Sequence, residues 1–452
     1  MKKFFWWYLC SLIGSYLLIV GILFYYDFSS EEISSNFGDI IRHLSRNWMY
    51  WIGLLLPYIL FRLIQYLVKS YKALSFIDFL KRVGLWLGTP IIAVIAFFQL
   101  SDWYVYSENF NYQWDTSVEN KRDIATNFFE IDDKQRGVHL FGRVDTNSLK
   151  PLIKNNVEWI TLVPFGGQND YDSPEVNRSD DPQRRARRDS SLVERIAICH
   201  AKGFKVFLKP HIWISTPSAG KWRSDIFPKN EAHWITWSKS YRQFILHYAH
   251  IAEQNNVALF CIGTEFSRLV LEKPDFWRTL IADIRAIYKG KLTYAANWNN
   301  EFEHLIFWEE LDYIGIQAYF PIAKNKYPSV EELIAGWQAH LTLIENVQQK
   351  FGKKILFTEL GYKSTNDSAI RPWEWSNRQT NVFKPISNKT QANCYAAFFQ
   401  VFWKKEWFAG IHLWQWRGSR RGNWGKHDFT PQEKPAENII AKGFGELGQK
   451  KS

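Results

Sequence analysis

The chain has 452 residues, a formal charge of +11, 17% aromatic residues and 23 Trp. No nucleic-acid-binding motif accompanies the basic excess, which lies in local runs, so a nucleic-acid partner is not expected. That much Trp exceeds what a core needs and favours a membrane interface or stacking on sugar rings.

Phe4 to Tyr26 is an almost unbroken apolar run behind Lys2-Lys3. It is long enough to cross a bilayer, and its core is too long for a cleaved signal peptide. Trp48 to Val68 and Val83 to Leu100 read as further spans, so transmembrane helices are expected at about 4–26, 48–68 and 83–100. The loop between the second and third spans holds Lys69, Lys72, Lys81 and Arg82 against Asp78 alone. The loop before it carries Asp27, Glu31, Glu32 and Asp39 against Arg42 and Arg46. The positive-inside rule then puts Lys2-Lys3 and the 69–82 loop in the cytoplasm. Everything after residue 100 falls outside. The expectation is a cell-membrane protein: residues 1–100 anchored in the lipid bilayer, 101–135 a linker settling onto the next domain, and 136–447 extracytoplasmic.

From residue 136 one unit recurs: a short apolar strand, a loop, then an amphipathic helix. Strands are expected at Gly137–Leu140, Trp159–Val163, Lys205–Leu208, Leu259–Gly263, Leu292–Ala295, Tyr313–Gln317, Ile355–Thr358 and Gly410–Trp414. Helices are expected near 146–156, 189–202, 230–255, 273–288, 303–310, 329–350, 388–406 and 435–447. Eight strands alternating with eight helices make an α/β fold, the (β/α)8 TIM barrel. No Gly-rich phosphate loop follows any strand, which argues against a dinucleotide-binding open sheet. Cys10, Cys199, Cys261 and Cys394 each sit in an apolar segment and are expected as buried free thiols. His200, His211, His247, His250 and His304 show no metal-ligand spacing, so no metal or cofactor is expected.

Chemistry in such a barrel sits at the C-terminal ends of the strands. The third strand ends Lys209-Pro-His-Ile-Trp213, the fourth Gly263-Thr-Glu265 and the fifth Ala296-Asn-Trp298. The sixth ends Gln317-Ala-Tyr319, the seventh Glu359 and the eighth Trp414-Gln-Trp416. Polar, ionisable and aromatic residues thus gather at one end of six consecutive strands. Two of them are glutamates, and glycoside hydrolysis needs such a pair: one proton donor, one nucleophile or base.

The segments Lys209–Trp213, Ile262–Phe266, Tyr313–Tyr319, Phe357–Tyr362 and Trp414–Trp416 resemble glycoside hydrolase family 113. The tail Phe429-Thr-Pro431 with Lys434-Pro-Ala-Glu437 is similar as well. This family belongs to clan A of the retaining glycosidases, and the similarity runs from about residue 136 to 445. The resemblance implies a TIM barrel, Glu265 as acid/base, Glu359 as nucleophile and a β-1,4-mannan-like substrate.

On that reading Tyr319 donates a hydrogen bond to Glu359, and Trp414 is the platform under the scissile sugar. Trp213, Trp298 and Trp416 are candidates for neighbouring subsites, and His211, Asn297 and Gln317 for hydroxyl contacts. Two basic runs, Arg184-Arg-Ala-Arg-Arg188 and Arg417 with Arg420 and Arg421, read as loops at the same face. They meet solvent, anionic lipid or an acidic glycan. The competing functions are an envelope-glycan transglycosylase and a catalytically silent glycan-binding protein.

Overall fold

The computed structural model describes residues 75–89, seven scattered positions between 62 and 96, and 112–448 except 180, 376–385 and 419–426. The chain divides into two units, Met1–Tyr106 and Ser107–Ser452. The expected span at 4–26, all but three residues of 48–68 and half of 83–100 lie outside the described residues. Among the described residues no helix is long and apolar enough to cross a membrane. In the first unit a helix covers Phe76–Val83, inside what reads from sequence as a loop. Ser75 caps it by accepting from Asp78 N.

The second unit is a closed barrel of eight parallel strands. They are β1 (Gln135–Phe141), β2 (Trp159–Leu162), β4 (Lys205–Leu208), β6 (Leu259–Thr264), β7 (Lys291–Asn297), β8 (Tyr313–Gln317), β9 (Lys354–Leu360) and β10 (Phe408–Arg417). All eight expected strands are present, and the order around the barrel is β1-β10-β9-β8-β7-β6-β4-β2. Two short strands were not expected: β3 (Phe165–Gln168) and β5 (His211–Ile214), which pair with each other outside the barrel. They continue β2 and β4 beyond Pro164 and Pro210. Proline has no N–H for a ladder, so the chain leaves the barrel there and forms a small sheet at its mouth. This sheet carries Phe165, His211 and Trp213.

Most helices fall where the periodicity puts them, with two differences. Residues 303–310 are not a helix; only a short 3-10 turn, Trp308–Glu310, joins β7 to β8. The helix after β3 spans Pro182–Ala201 and so starts seven residues before the expected 189. Arg184–Arg188 is therefore its second turn, not a loop.

The main core lies between the strands and the helix ring. Cys199, Cys261 and Cys394 are buried and free, as expected. Residues 112–134 do settle onto the barrel: Tyr112 Oη donates to Glu437 Oε2 at 2.8 Å, and Lys154 Nζ sits 4.0 Å from the centre of the Trp114 ring.

Three strands gain one residue on a neighbour near their C-terminal ends. In β6 the step Cys261 to Thr264 faces Thr293 to Ala295 of β7. In β9 the step Phe357 to Leu360 faces Ile411 to Leu413 of β10, and in β10 Leu413 to Trp416 faces Val138 to Leu140 of β1. Each is a bulge, which re-aims the side chains that follow it. These three strands deliver Glu265, Glu359 and Trp414.

Candidate active site

Glu265 stands one residue past β6. Its φ is +54°, in the left-handed region, and its N–H donates to Ala295 O at 2.9 Å. A non-glycine residue held there is strained, and the surrounding structure has to impose it. Glu359 ends the inward face of β9. Both are nearly buried, and a chain of contacts through Arg223 and His211 joins them in one site.

Glu359 accepts at both oxygens. Lys209 Nζ lies 2.6 Å from Oε1, and Tyr319 Oη donates to Oε2 at 2.7 Å. Lys209 also donates to Gln317 Oε1 at 2.8 Å, so it is pinned between two strands. His139 Nε2 and His211 Nε2 stand 3.8 and 3.9 Å from Glu359 Oε1. Burial, and then the charge of Lys209, holds both imidazoles well below their usual range. They are neutral at pH 7, so neither contact is an ion pair. Burial, reinforced by Glu359, holds the Tyr319 phenol well above its ordinary value, so it remains a donor.

Glu265 meets a cation that the sequence reading missed. Arg223 Nη2 donates to Glu265 Oε2 at 3.0 Å, and its Nη1 lies 3.2 Å from His211 Nδ1. A guanidinium only donates, so Nδ1 accepts and the His211 proton sits on Nε2. That N–H has no partner among the described residues. It lies 3.9 Å from Glu359 Oε1 and is closed to solvent. One histidine thus stands between Arg223, which holds Glu265, and the edge of Glu359.

A second carboxyl, Glu301, supports the Glu265 backbone. Phe266 N donates to Tyr294 Oη at 2.7 Å, and Tyr294 Oη donates to Glu301 Oε1 at 2.5 Å. Ser267 Oγ and Asn297 N donate to Glu301 Oε2 at 2.6 and 2.9 Å. Burial pushes Glu301 up to about 7, against these hydrogen bonds; the charge of Glu265 adds a smaller push.

The family model for Glycoside Hydrolase Family 113 matches residues 135–428. The chain belongs to glycoside hydrolase family 113. Its barrel is similar to a family 113 β-1,4-mannanase at 26% identity and a TM-score of 0.59, covering 69% of this chain and 98% of that one. It is also similar to the family 113 β-mannanase AaManA from Alicyclobacillus acidocaldarius, in complex with ManMIm. The identity there is 25% and the TM-score 0.58, over 69% of this chain and 97% of that one. No curated protein sequence matches the chain. This glycosidase therefore hydrolyses a glycan on a TIM barrel.

The remaining expected residues of the family 113 barrel divide. Trp414 lies at the mouth with Tyr319 and Phe429, its ring 5.0 Å from both His139 and Phe141. Trp298 packs against the same cluster and stacks on Trp373 at 5.1 Å. Trp213 lies on the small sheet with its ring 56% exposed, 6.4 Å from Phe165. Asn297 is turned into its own loop, where Oδ1 accepts from Asn299 N at 3.1 Å. Gln317 is shut from solvent and serves Lys209 instead of an open subsite. Trp416 is 1% exposed and belongs to the core. The β10 bulge separates it from Trp414: the extra residue reverses the alternation, so the two rings face opposite sides.

Proposed function

We propose that this enzyme cleaves β-linked, mannan-like glycans with retention of configuration, using Glu359 as nucleophile and Glu265 as acid/base. The observation that carries the reading is the hydrogen bonding of Glu359. Both oxygens accept, from Lys209 and from Tyr319, which suits a carboxylate that attacks and not one that gives up a proton. Glu359 attacks the anomeric carbon while Glu265 protonates the departing glycosidic oxygen. A glycosyl-enzyme and the shortened alcohol result. Glu265 then takes a proton from water, which attacks the anomeric carbon and frees Glu359. Arg223 stands at the oxygen of Glu265, where it neutralises the carboxylate left once the proton has gone. His211 is closed to solvent and holds Arg223 in place instead of meeting a sugar hydroxyl, and Trp414 offers the sugar an apolar face.

Azide tests these roles with an activated aryl β-mannoside. Glu359→Ala is expected to lose turnover and regain it with azide, releasing the inverted α-glycosyl azide. Glu265→Ala is expected to keep activated leaving groups, lose poor ones and give the retained β-azide. A β-azide from Glu359→Ala, or none at all, would reverse or remove its assignment.

The apolar runs and loop charges of residues 1–100 support a barrel tethered at the cell membrane, on its outer side. Full recovery in the soluble fraction after lysis, or resistance of the barrel to protease added to intact cells, would contradict that placement.

A further inference from the structure

A cavity of about 500 Å³ opens between the small β3/β5 sheet and the helix Pro182–Ala201. Arg184, Arg187, Arg188 and Arg195 line it together with Phe165 and Tyr248. The arginines follow one stripe of the helix, at spacings of three, four and seven residues. Among the described residues no carboxylate pairs with any of the four. Of the two acids on their own helix, Asp189 is taken by Arg178 and lies 3.1 Å from His247 Nε2, and Glu194 pairs with none of the four. Arg188 reaches only a backbone oxygen, Arg178 O at 2.8 Å, and Arg195 likewise Leu140 O at 3.2 Å. The buried Nε of Arg195 has no partner among the described residues.

This concentration of charge is costly to the fold. Cations near a helix N-terminus oppose the macrodipole, and Arg184 repels Arg188 one turn on. An anion seated in the cavity relieves both. Phe165 links the cavity to the site: its ring is 5.7 Å from His211 and 6.4 Å from Trp213. The arginine wall and His211 therefore meet at one ring of the small sheet. A membrane headgroup would need no such continuity with the cleft, which favours the substrate itself as the occupant.

We infer that this cavity is a charged subsite, and that the glycan cleaved here carries an anionic group, a uronate carboxylate or a phosphate ester, close to the scissile bond. The inference rests on the glycosidase reading above and narrows its substrate class. Planar guanidinium groups bind either oxyanion in a paired geometry. The half-exposed ring of Phe165 can cover the sugar that bears it, while Tyr248, buried under Arg178, closes the floor.

The test uses the full chain and the variant Arg184→Gln/Arg187→Gln/Arg188→Gln. All three positions are exposed, and removing cations from this end favours the helix. Three β-1,4-linked oligosaccharides are compared: neutral, uronate-bearing and phosphorylated. The readouts are kcat/KM and calorimetric binding, at low and high salt. We expect one charged substrate to exceed the neutral one by about tenfold or more, with the advantage shrinking in salt and in the triple variant. The better of the two charged forms identifies the group. Equal kcat/KM for all three, or a charged preference that survives the triple variant, overturns the subsite. So does variant-sensitive binding to phosphatidylglycerol vesicles without any charged-substrate preference, which would give the arginines to the membrane. If no oligosaccharide is cleaved, binding still decides: variant-sensitive binding of the charged form keeps the subsite while the hydrolase reading of this substrate class falls.

Discussion

Lys209 sets its Nζ 2.6 Å from Glu359 Oε1, and both side chains are almost wholly withdrawn from solvent. Taking two charges out of water is expensive, and their attraction repays it only with good geometry and further hydrogen bonds. Gln317 and Tyr319 supply those bonds. Replacing Lys209 by Met leaves Glu359 as a buried carboxylate without its cation, a cost of about 3–5 kcal/mol. The expected result is a clear loss of thermal stability and a fall in kcat of about a hundredfold or more. Steady-state kinetics beside a melting curve check it. Near-normal kcat in Lys209→Met would mean that Glu359 needs no cation.

Tyr319 gives Glu359 its other hydrogen bond, at 2.7 Å. Phenylalanine keeps the ring and its packing against Phe429 while removing the donor. A hydrogen bond to a charged group is worth about 1.5–3 kcal/mol, so Tyr319→Phe is expected to lower kcat by about tenfold to a hundredfold. Its melting temperature should move much less than that of Lys209→Met. A drop in stability without a drop in kcat would assign Tyr319 to the fold alone.

Gly361 lies two residues beyond Glu359, where β9 passes β10. A Cβ there would stand 2.3 Å from Trp414 O and 3.1 Å from the Phe429 ring. The first is a backbone atom of the strand that carries the proposed sugar platform, so it cannot swing aside. Gly361→Ala is expected to cost about 1–3 kcal/mol and to lower activity as well, because Trp414 has to shift with its strand. Urea unfolding followed with kinetics reads both. Wild-type values in each would show that the β9–β10 contact is slack.

The barrel was legible because each strand is an apolar run ending in chemistry, and that position marks Glu265 and Glu359 as the candidate pair. What sequence could not show comes from three physical causes. The β3 and β5 strands are four residues long and follow Pro164 and Pro210, so they read as loops. The first turns of the helix Pro182–Ala201 carry no buried apolar residue before Leu192, so they lack the period that marks a helix. Trp416 reads as a neighbouring subsite because it closes the same strand end as Trp414, and a bulge between them turns it into the core. Arg223 opens a three-residue 3-10 turn and Glu301 lies in a turn, and they act through residues 42 and 34 positions away, which no local pattern signals. Lys209 did carry a signal. A lysine inside a run otherwise fit for burial has to meet an acid.

Glu301 gives the fold a pH dependence of known direction. Its ordinary value is 4.5, and burial raises it to about 7 in the folded chain. Below 4.5 the carboxyl is neutral whether the chain is folded or not. Between 4.5 and about 7 the unfolded chain gives up the proton while the fold retains it. Above that the fold has to hold a charge in a closed space. The raised value therefore contributes stability that is fully present below 4.5 and lost as pH rises through about 7. The gap corresponds to about 3 kcal/mol. Glutamine keeps the shape, accepts one set of hydrogen bonds and never ionises. Glu301→Gln is thus expected to flatten the decline in unfolding free energy between pH 5 and pH 8 relative to wild type, by up to that amount. Urea titrations of both proteins at four pH values measure the difference. Parallel curves would mean that Glu301 stays ionised throughout, with Ser267, Tyr294 and the Asn297 amide together outweighing its burial.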